Sequence, residues 1–242
     1  MQMTRIDTTT SPAADWLNYF TFNRGNRTAF LWERGVCIPM HMYRPLVHSL
    51  QRFQLGERGD GTHLSRYSAQ MNDPSYAAAM ELFIQEEQEH SQLLARVLKA
   101  LNADLLQSHW SDNIFIALRR FSGLHVELLT LLIAEVIAMR YYRALAEGIE
   151  DPVSQAVFSQ IVRDEWGHVA FHCDKLHEDF SALPGVSRTA IRLAWHGAFR
   201  AASLVMLFEH RAILRAVGVA PGAFLRDCND LFEKAANEVF AD

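Results

Sequence analysis

The chain has 242 residues, half of them apolar, with a formal charge of −5 and no block of basic residues, so it carries no electrostatic footprint for nucleic acid. No apolar run reaches the roughly 18 residues of a membrane span, and the polar opening lacks the apolar core of a signal peptide. Cys37, Cys173 and Cys228 are odd in number and widely spaced, which reads as free thiols in a reducing cytoplasm rather than as a disulfide framework or a Cys-x-x-Cys site.

Composition and length point to a single domain with additions at both ends. Residues 1–39 form an aromatic-rich segment, Trp16 to Phe22 and Phe30 to Trp32, split by the turn-like Asn23-Arg24-Gly25-Asn26. It is expected to cover the body of the protein by packing. A first long helix is expected over Met40 to Met71, with Leu46, Leu50, Phe53 and Glu57 on one stripe. Gly56, Gly59 and Gly61 weaken it locally, by about 1 kcal/mol each relative to Ala. Helices follow over Pro74 to Leu101, Ser111 to Glu147 and Pro152 to Phe180. After Leu183-Pro184-Gly185 come a fifth over Val186 to Val217 and a sixth over Pro221 to Phe240. Domain limits are therefore 1–39, 40–182 and 183–242, the last flanking the same domain.

Two of these helices carry the same chemistry. Ile84-Gln85-Glu86-Glu87-Gln88-Glu89-His90 and Val162-Arg163-Asp164-Glu165-Trp166-Gly167-His168 each contain Glu-x-x-His. Glu87 lies 14 residues after Asp73-Pro74, and Glu165 lies 14 after Asp151-Pro152. Each Asp-Pro in turn follows a Glu by 16 residues, Glu57 and Glu135, so the unit recurs at an offset of 78. Asp before Pro is a helix-start signal, with Asp as the N-cap. Sixteen residues down one helix and 14 up the next bring the two Glu to one height, and Glu and His three apart share a face. Glu135 also sits in the strongly apolar run from Leu128 to Ile133 and beyond, where an unpaired carboxylate is costly. Glu127 competes two turns earlier; the repeat selects Glu135. Two such hairpins offer four carboxylates and two imidazoles, a set that suits iron or manganese better than zinc.

In these residues the chain resembles the ferritin-like di-iron carboxylate proteins, over roughly residues 40 to 180. The resemblance implies an all-α fold, a ferritin-like four-helix bundle of two helical hairpins, with extra N-terminal and C-terminal helices. It implies two iron ions, with manganese or a Mn/Fe pair as the alternative. Glu57, Glu87, His90, Glu135, Glu165 and His168 become the metal ligands. Asp164 and Glu86, each just before a ligand Glu, are assigned to orient His90 and His168 respectively. His172 reads as a seventh ligand, a proton shuttle or, more plainly, a core histidine with its hydrogen bonds satisfied. Tyr142 reads as a core tyrosine or a redox-active one.

Positions one turn from the ligands, among them Phe53, Phe83 and Met139, are apolar or aromatic, which suits an organic substrate. The expected activity is that of a di-iron oxidase or oxygenase using dioxygen on a small, largely apolar molecule. Its electrons would come from a separate ferredoxin or reductase. An iron storage protein and a manganese enzyme such as a catalase are the alternatives, and the terminal helices make a homodimer reasonable.

Overall fold

A computed structural model of the chain describes residues 11–59, 61–108 and 123–241. Those residues form eight α-helices and one short 3-10 turn: α1 (Pro12–Gly25), the turn Trp32–Arg34, α2 (Met40–Gly56), α3 (Thr62–Gln70), α4 (Pro74–Ala100), α5 (Gly123–Gly148), α6 (Pro152–Ser181), α7 (Gly185–Ala216) and α8 (Pro221–Val239). The architecture is all-α, with no strand among the described residues. The expected start of the third long helix, residues 111–122, lies outside them.

The two Asp-Pro signals start helices. Asp73 accepts hydrogen bonds from the amides of Ser75 and Tyr76, both at 3.0 Å, ahead of Pro74 in the first helical position of α4. Asp151 accepts from the amide of Ser154 at 2.8 Å ahead of Pro152. The second cap does a further job, because Asp151 Oδ2 also accepts from the Cys37 amide at 3.0 Å and pins the N-terminal segment to the start of α6. In both cases the carboxylate satisfies amides that the first helical turn leaves unpaired.

The helix expected over Met40 to Met71 is instead two. α2 ends at Gly56 with Glu57 as its C-cap, and α3 begins after Gly61, whose φ of 65° is in the left-handed region that favours glycine. A side chain on Gly61 would also collide with Ile84 of α4. The glycines therefore turn the chain at this point instead of merely weakening a continuous helix.

α5 and α6 are joined by three residues and pack along their length as an antiparallel pair, while α2 packs on α4 and α4 on α6. This arrangement is compatible with a four-helix bundle. The interior is filled by Leu46, Leu50, Phe83, Leu132, Tyr141, Phe158, Ile161 and Phe171, all essentially inaccessible. α7 and α8 close the side, with the Phe199 and Phe232 rings stacked at 4.0 Å and Trp195 Nε1 donating to the Leu129 carbonyl at 2.8 Å.

α1 lies against α4 and its aromatic face reaches α6. Phe20 is fully buried, with its ring 5.3 Å from that of Phe171, and Trp16 Nε1 donates to Asp174 at 2.8 Å. Tyr19 sits so close to Gly167 that a Cβ there would overlap its ring. That contact explains a glycine in mid-helix, between Glu165 and His168. Gly167→Ala is expected to lower stability by about 1–3 kcal/mol through overpacking, although alanine is the better helix former by about 1 kcal/mol. Denaturant unfolding checks this, and unchanged stability would mean that Tyr19 moves aside freely.

Candidate metal centre

α4 and α6 present their Glu-x-x-His faces to one another. Glu87, His90, Glu165 and His168 each place one ligand atom within 4.8 Å of all the others. His168 Nδ1 is 3.1 Å from Glu87 Oε1 and 3.6 Å from Glu165 Oε2; His90 Nδ1 is 3.5 Å from Glu87 Oε1 and 3.7 Å from Glu165 Oε1. The ring nitrogens that face inward are thus the two Nδ1 atoms.

The outward nitrogens are occupied. His90 Nε2 lies 3.0 Å from Asp164 Oδ2, and His168 Nε2 lies 3.0 Å from Glu86 Oε2. Ionised carboxylates only accept, so each Nε2 carries the hydrogen and, in the neutral ring, each Nδ1 keeps its lone pair. The pairing crosses between helices: an acid on α6 holds the histidine of α4, and an acid on α4 holds the histidine of α6.

Residues from the N-terminal segment complete this layer. Arg27 donates from Nη1 to Asp164 Oδ1 at 2.8 Å, approaches Glu86 Oε1 at 3.6 Å and grips Glu89 through Nε and Nη2 at 2.8 and 2.6 Å. Asn23 Nδ2 reaches both Glu86 Oε1 at 3.0 Å and Asp164 Oδ1 at 3.2 Å. Gln160, one turn before Asp164, donates to it at 2.8 Å and is held by the Thr28 hydroxyl. One guanidinium and one amide therefore sit at the junction of two carboxylate–imidazole pairs. Trp16, Tyr19, Phe20, Phe30 and Trp32 of this segment pack against the core while Phe22 is exposed, and Asn23 and Arg27 are not apparent from local pattern. Gln160 could have been found, since it precedes Asp164 by four on a helix.

The two single carboxylates flank the cluster differently. Glu57, at the end of α2, is partly exposed and accepts from the Tyr142 hydroxyl at 3.0 Å. Glu135, buried in α5, has Oε1 3.2 Å from His172 Nε2. Neither belongs to the tight group of four. Neither ring nitrogen of His172 makes a well-formed hydrogen bond, and its Nε2 has the Glu135 carboxylate as its charged neighbour. Phe83 stands edge-on to both His168 and His172, with centroids 4.7 and 4.6 Å away, and Met139 is buried one turn beyond Glu135. Phe53 instead packs on Tyr141 and Tyr142. Glu127 is buried.

Whether these residues suit a metal is decided by their unsatisfied atoms. Glu87 Oε1, His90 Nδ1, both oxygens of Glu135, Glu165 Oε2, His168 Nδ1 and both nitrogens of His172 are buried without a hydrogen-bond partner. Leaving even one such group unpaired costs about 1–3 kcal/mol. Concentrated on facing side chains of the right donor types, they fit a cation bound among them. Glu87, His90, Glu165 and His168, all but Glu87 fully buried, could bind a metal ion.

The proton affinities agree. Burial alone would lower His90 and His168, but the Nε2 hydrogen bonds to Asp164 and Glu86 and the nearby charge of Glu87 and Glu165 hold both well above the usual imidazole value. Burial pushes Glu165 up to about 7, assisted by the charge of Glu87 and opposed by His168. Burial and the charges of Glu87 and Glu165 raise Glu57 well above the carboxylate range. Against the same burial, the close imidazoles of His168 and His90 bring Glu87 well below it, and His90 and Arg27 lower Asp164. Protons occupy this centre where a metal is not bound.

Comparison with protein-family models finds no match for the chain, and comparison with curated proteins finds none either. The functional reading therefore stands on these residues. The described cysteines are unpaired, Cys37 exposed and the other two buried, so they add no thiolate pair to the centre.

The raised groups set a pH dependence. A group whose affinity for a proton is greater folded than unfolded stabilises the fold below its unfolded value and loses that contribution as pH rises through its folded value. Glu165 loses it between the ordinary 4.5 and about 7, and His90 and His168 above 6.5. Metal-free protein is therefore expected to melt at a lower temperature at pH 8.5 than at pH 6, and bound metal should narrow that difference by displacing the protons. Thermal unfolding of chelated and metal-loaded samples checks this; a midpoint that rises between those pH values in the metal-free protein would contradict it.

Proposed function

We propose that the chain is a dioxygen-using oxidoreductase of the ferritin-like di-metal type. It would hold two iron ions in its helical bundle and act on a small, largely apolar organic molecule. The observation that carries this reading is the crossed pairing of Asp164 with His90 and Glu86 with His168, with both inward Nδ1 atoms bare beside Glu87 and Glu165. A histidine oriented through its other nitrogen by a carboxylate is a recurrent arrangement around metal ions.

In this reading Glu87, His90, Glu165 and His168 form the core of the ligand set, Glu57 and Glu135 add a carboxylate from either side, and His172 acts through Glu135. A pair of ferrous ions held there would supply the electrons that reduce dioxygen. The remaining roles belong to the chain. Arg27 offsets the negative charge of Asp164 and Glu86, whose oxygens keep the Nε2 hydrogens in place. The Tyr142 hydroxyl holds the carboxylate of Glu57 at the exposed end of the site. Phe83 and Met139 exclude water and present an apolar wall, which favours an organic substrate over the carboxylate-lined passage that iron storage would need. The same ligands suit manganese, and a manganese or mixed-metal enzyme such as a catalase is the second reading.

Iron-loaded protein, once reduced with dithionite and freed of excess reductant, is expected to consume dioxygen. Glu87→Ala should lose roughly tenfold or more of that uptake, in line with the loss of a metal ligand or its support. Equal uptake by protein and variant in an oxygen electrode would sink the proposal, and peroxide disproportionation by manganese-loaded protein would favour the second reading.

A further inference from the structure

α2 and α7 together carry seven arginines and one acidic residue, in a chain whose net charge is −5. On α2, His41, Arg44, His48 and Arg52 recur every three or four residues and share a face. On α7, Arg200, Leu204, Phe208, Arg211 and Arg215 do the same. All nine are exposed except Arg52, which is half-buried and paired with Glu209 at 3.3 Å. Arg44, Arg200 and Arg215 make no ion pair among the described residues, so their charge is directed outward. Phe208 is 67% exposed, with the Arg211 guanidinium over its ring.

These two stripes border one cleft of about 260 Å³, walled by His48 and Arg52 on one side and Phe208 and Arg211 on the other. Its floor is buried. Ser49 Oγ bonds His210 Nδ1 at 2.6 Å and also the Tyr141 hydroxyl. The Phe53 ring is 5.0 Å from His210, stacked on Tyr141 at 4.1 Å, and 5.1 Å from Tyr142, whose hydroxyl donates to Glu57. Three side-chain contacts, His210 to Phe53, Phe53 to Tyr142 and Tyr142 to Glu57, therefore join the cleft floor to the edge of the metal centre.

We propose that this face docks a small acidic one-electron carrier, an iron–sulfur or flavin protein, and that electrons pass from the cleft toward the centre by way of Phe53 and Tyr142. The proposal rests on the oxygen-reducing reading above. Each docked carrier gives up one electron and leaves oxidised, and two encounters supply the two electrons that return a diferric centre to the diferrous state; no covalent bond is made or broken. Arginine and exposed aromatic residues are the types that anchor protein interfaces, and a predominantly basic face, here with Glu209 as its one acid paired to Arg52, steers an acidic partner. A second copy of the chain fits poorly, because a two-fold pairing of α7 would set Arg200, Arg211 and Arg215 against their own images. A lipid surface fits poorly too, since the face is a concave cleft with a Ser–His floor, where an interfacial helix offers a convex apolar stripe.

The probe is a plant-type [2Fe–2S] ferredoxin, an acidic carrier, titrated calorimetrically into the full chain. Binding is expected at about 0.01 M ionic strength and should weaken strongly at about 0.15 M, where charges are screened beyond ~8 Å. The triple variant Arg200→Glu, Arg211→Glu, Arg215→Glu should weaken it roughly tenfold or more, while Arg66→Glu on α3 leaves it unchanged. Phe53→Leu should keep the binding but slow reduction of the iron-loaded protein by the carrier and not by dithionite. Absent binding at low salt, equal binding by the triple variant, or unslowed transfer in Phe53→Leu would overturn the proposal. So would binding of phosphatidylserine vesicles, or self-association, in place of ferredoxin. If dithionite-reduced protein takes up oxygen while docking fails, the docking face alone is wrong; if it takes up none, the oxygen-reducing reading fails whatever the titration shows.

Discussion

The constraint on which this structure depends is the burial of charge. Glu86, Glu135, Asp164, Glu165, His90, His168 and His172 are withdrawn from water inside one helical layer, and Glu57 and Glu87 stand at its edge. Isolated, such groups would cost far more than a domain's whole stability. They persist because each has a compensating neighbour. Arg27 and Asn23 meet the outer acids, the outer acids meet the histidines, and the inner atoms are left facing one another. The layer is closed on its outer side and unsatisfied only at its centre. A cation could bind there, among Glu87, His90, Glu165 and His168.

The rest of the fold serves that layer. The caps at Asp73 and Asp151 start α4 and α6 at matching distances from Glu87 and Glu165, so the two Glu-x-x-His faces meet in register. Gly167 lets α1 approach α6 closely enough for Phe20 to cover the His168 side of the centre, its ring 6.1 Å from the imidazole. The turn at Gly61 ends α2 where Glu57 can reach Tyr142. α7 braces α2 from outside, which places the basic cleft three contacts from Glu57.

Much of this was legible in the sequence because it is local. The helix starts at Pro74 and Pro152 follow from Asp-Pro, and the convergence of Glu87, His90, Glu165 and His168 follows from spacing alone. Gly56, Gly59 and Gly61 warned of a weak helix, but whether weakness becomes a turn depends on the contact of Gly61 with Ile84, which no local pattern records. Arg27 contacts Asp164 across 137 residues, from a stretch whose composition signals only a turn. The repeat makes Glu57 and Glu135 equivalent by position, yet one meets a tyrosine and the other a histidine, since their partners come from outside the repeated unit.

The central claim is that six carboxylate and imidazole ligands share two metal ions. Anaerobic titration of metal-free protein with ferrous iron, followed by elemental analysis after desalting, tests it most directly. The account predicts about two ions retained per chain in the intact protein and fewer than one in a Glu165→Ala, His168→Ala double variant. Retention of no iron and no manganese by the intact protein, or equal retention by the variant, would contradict it.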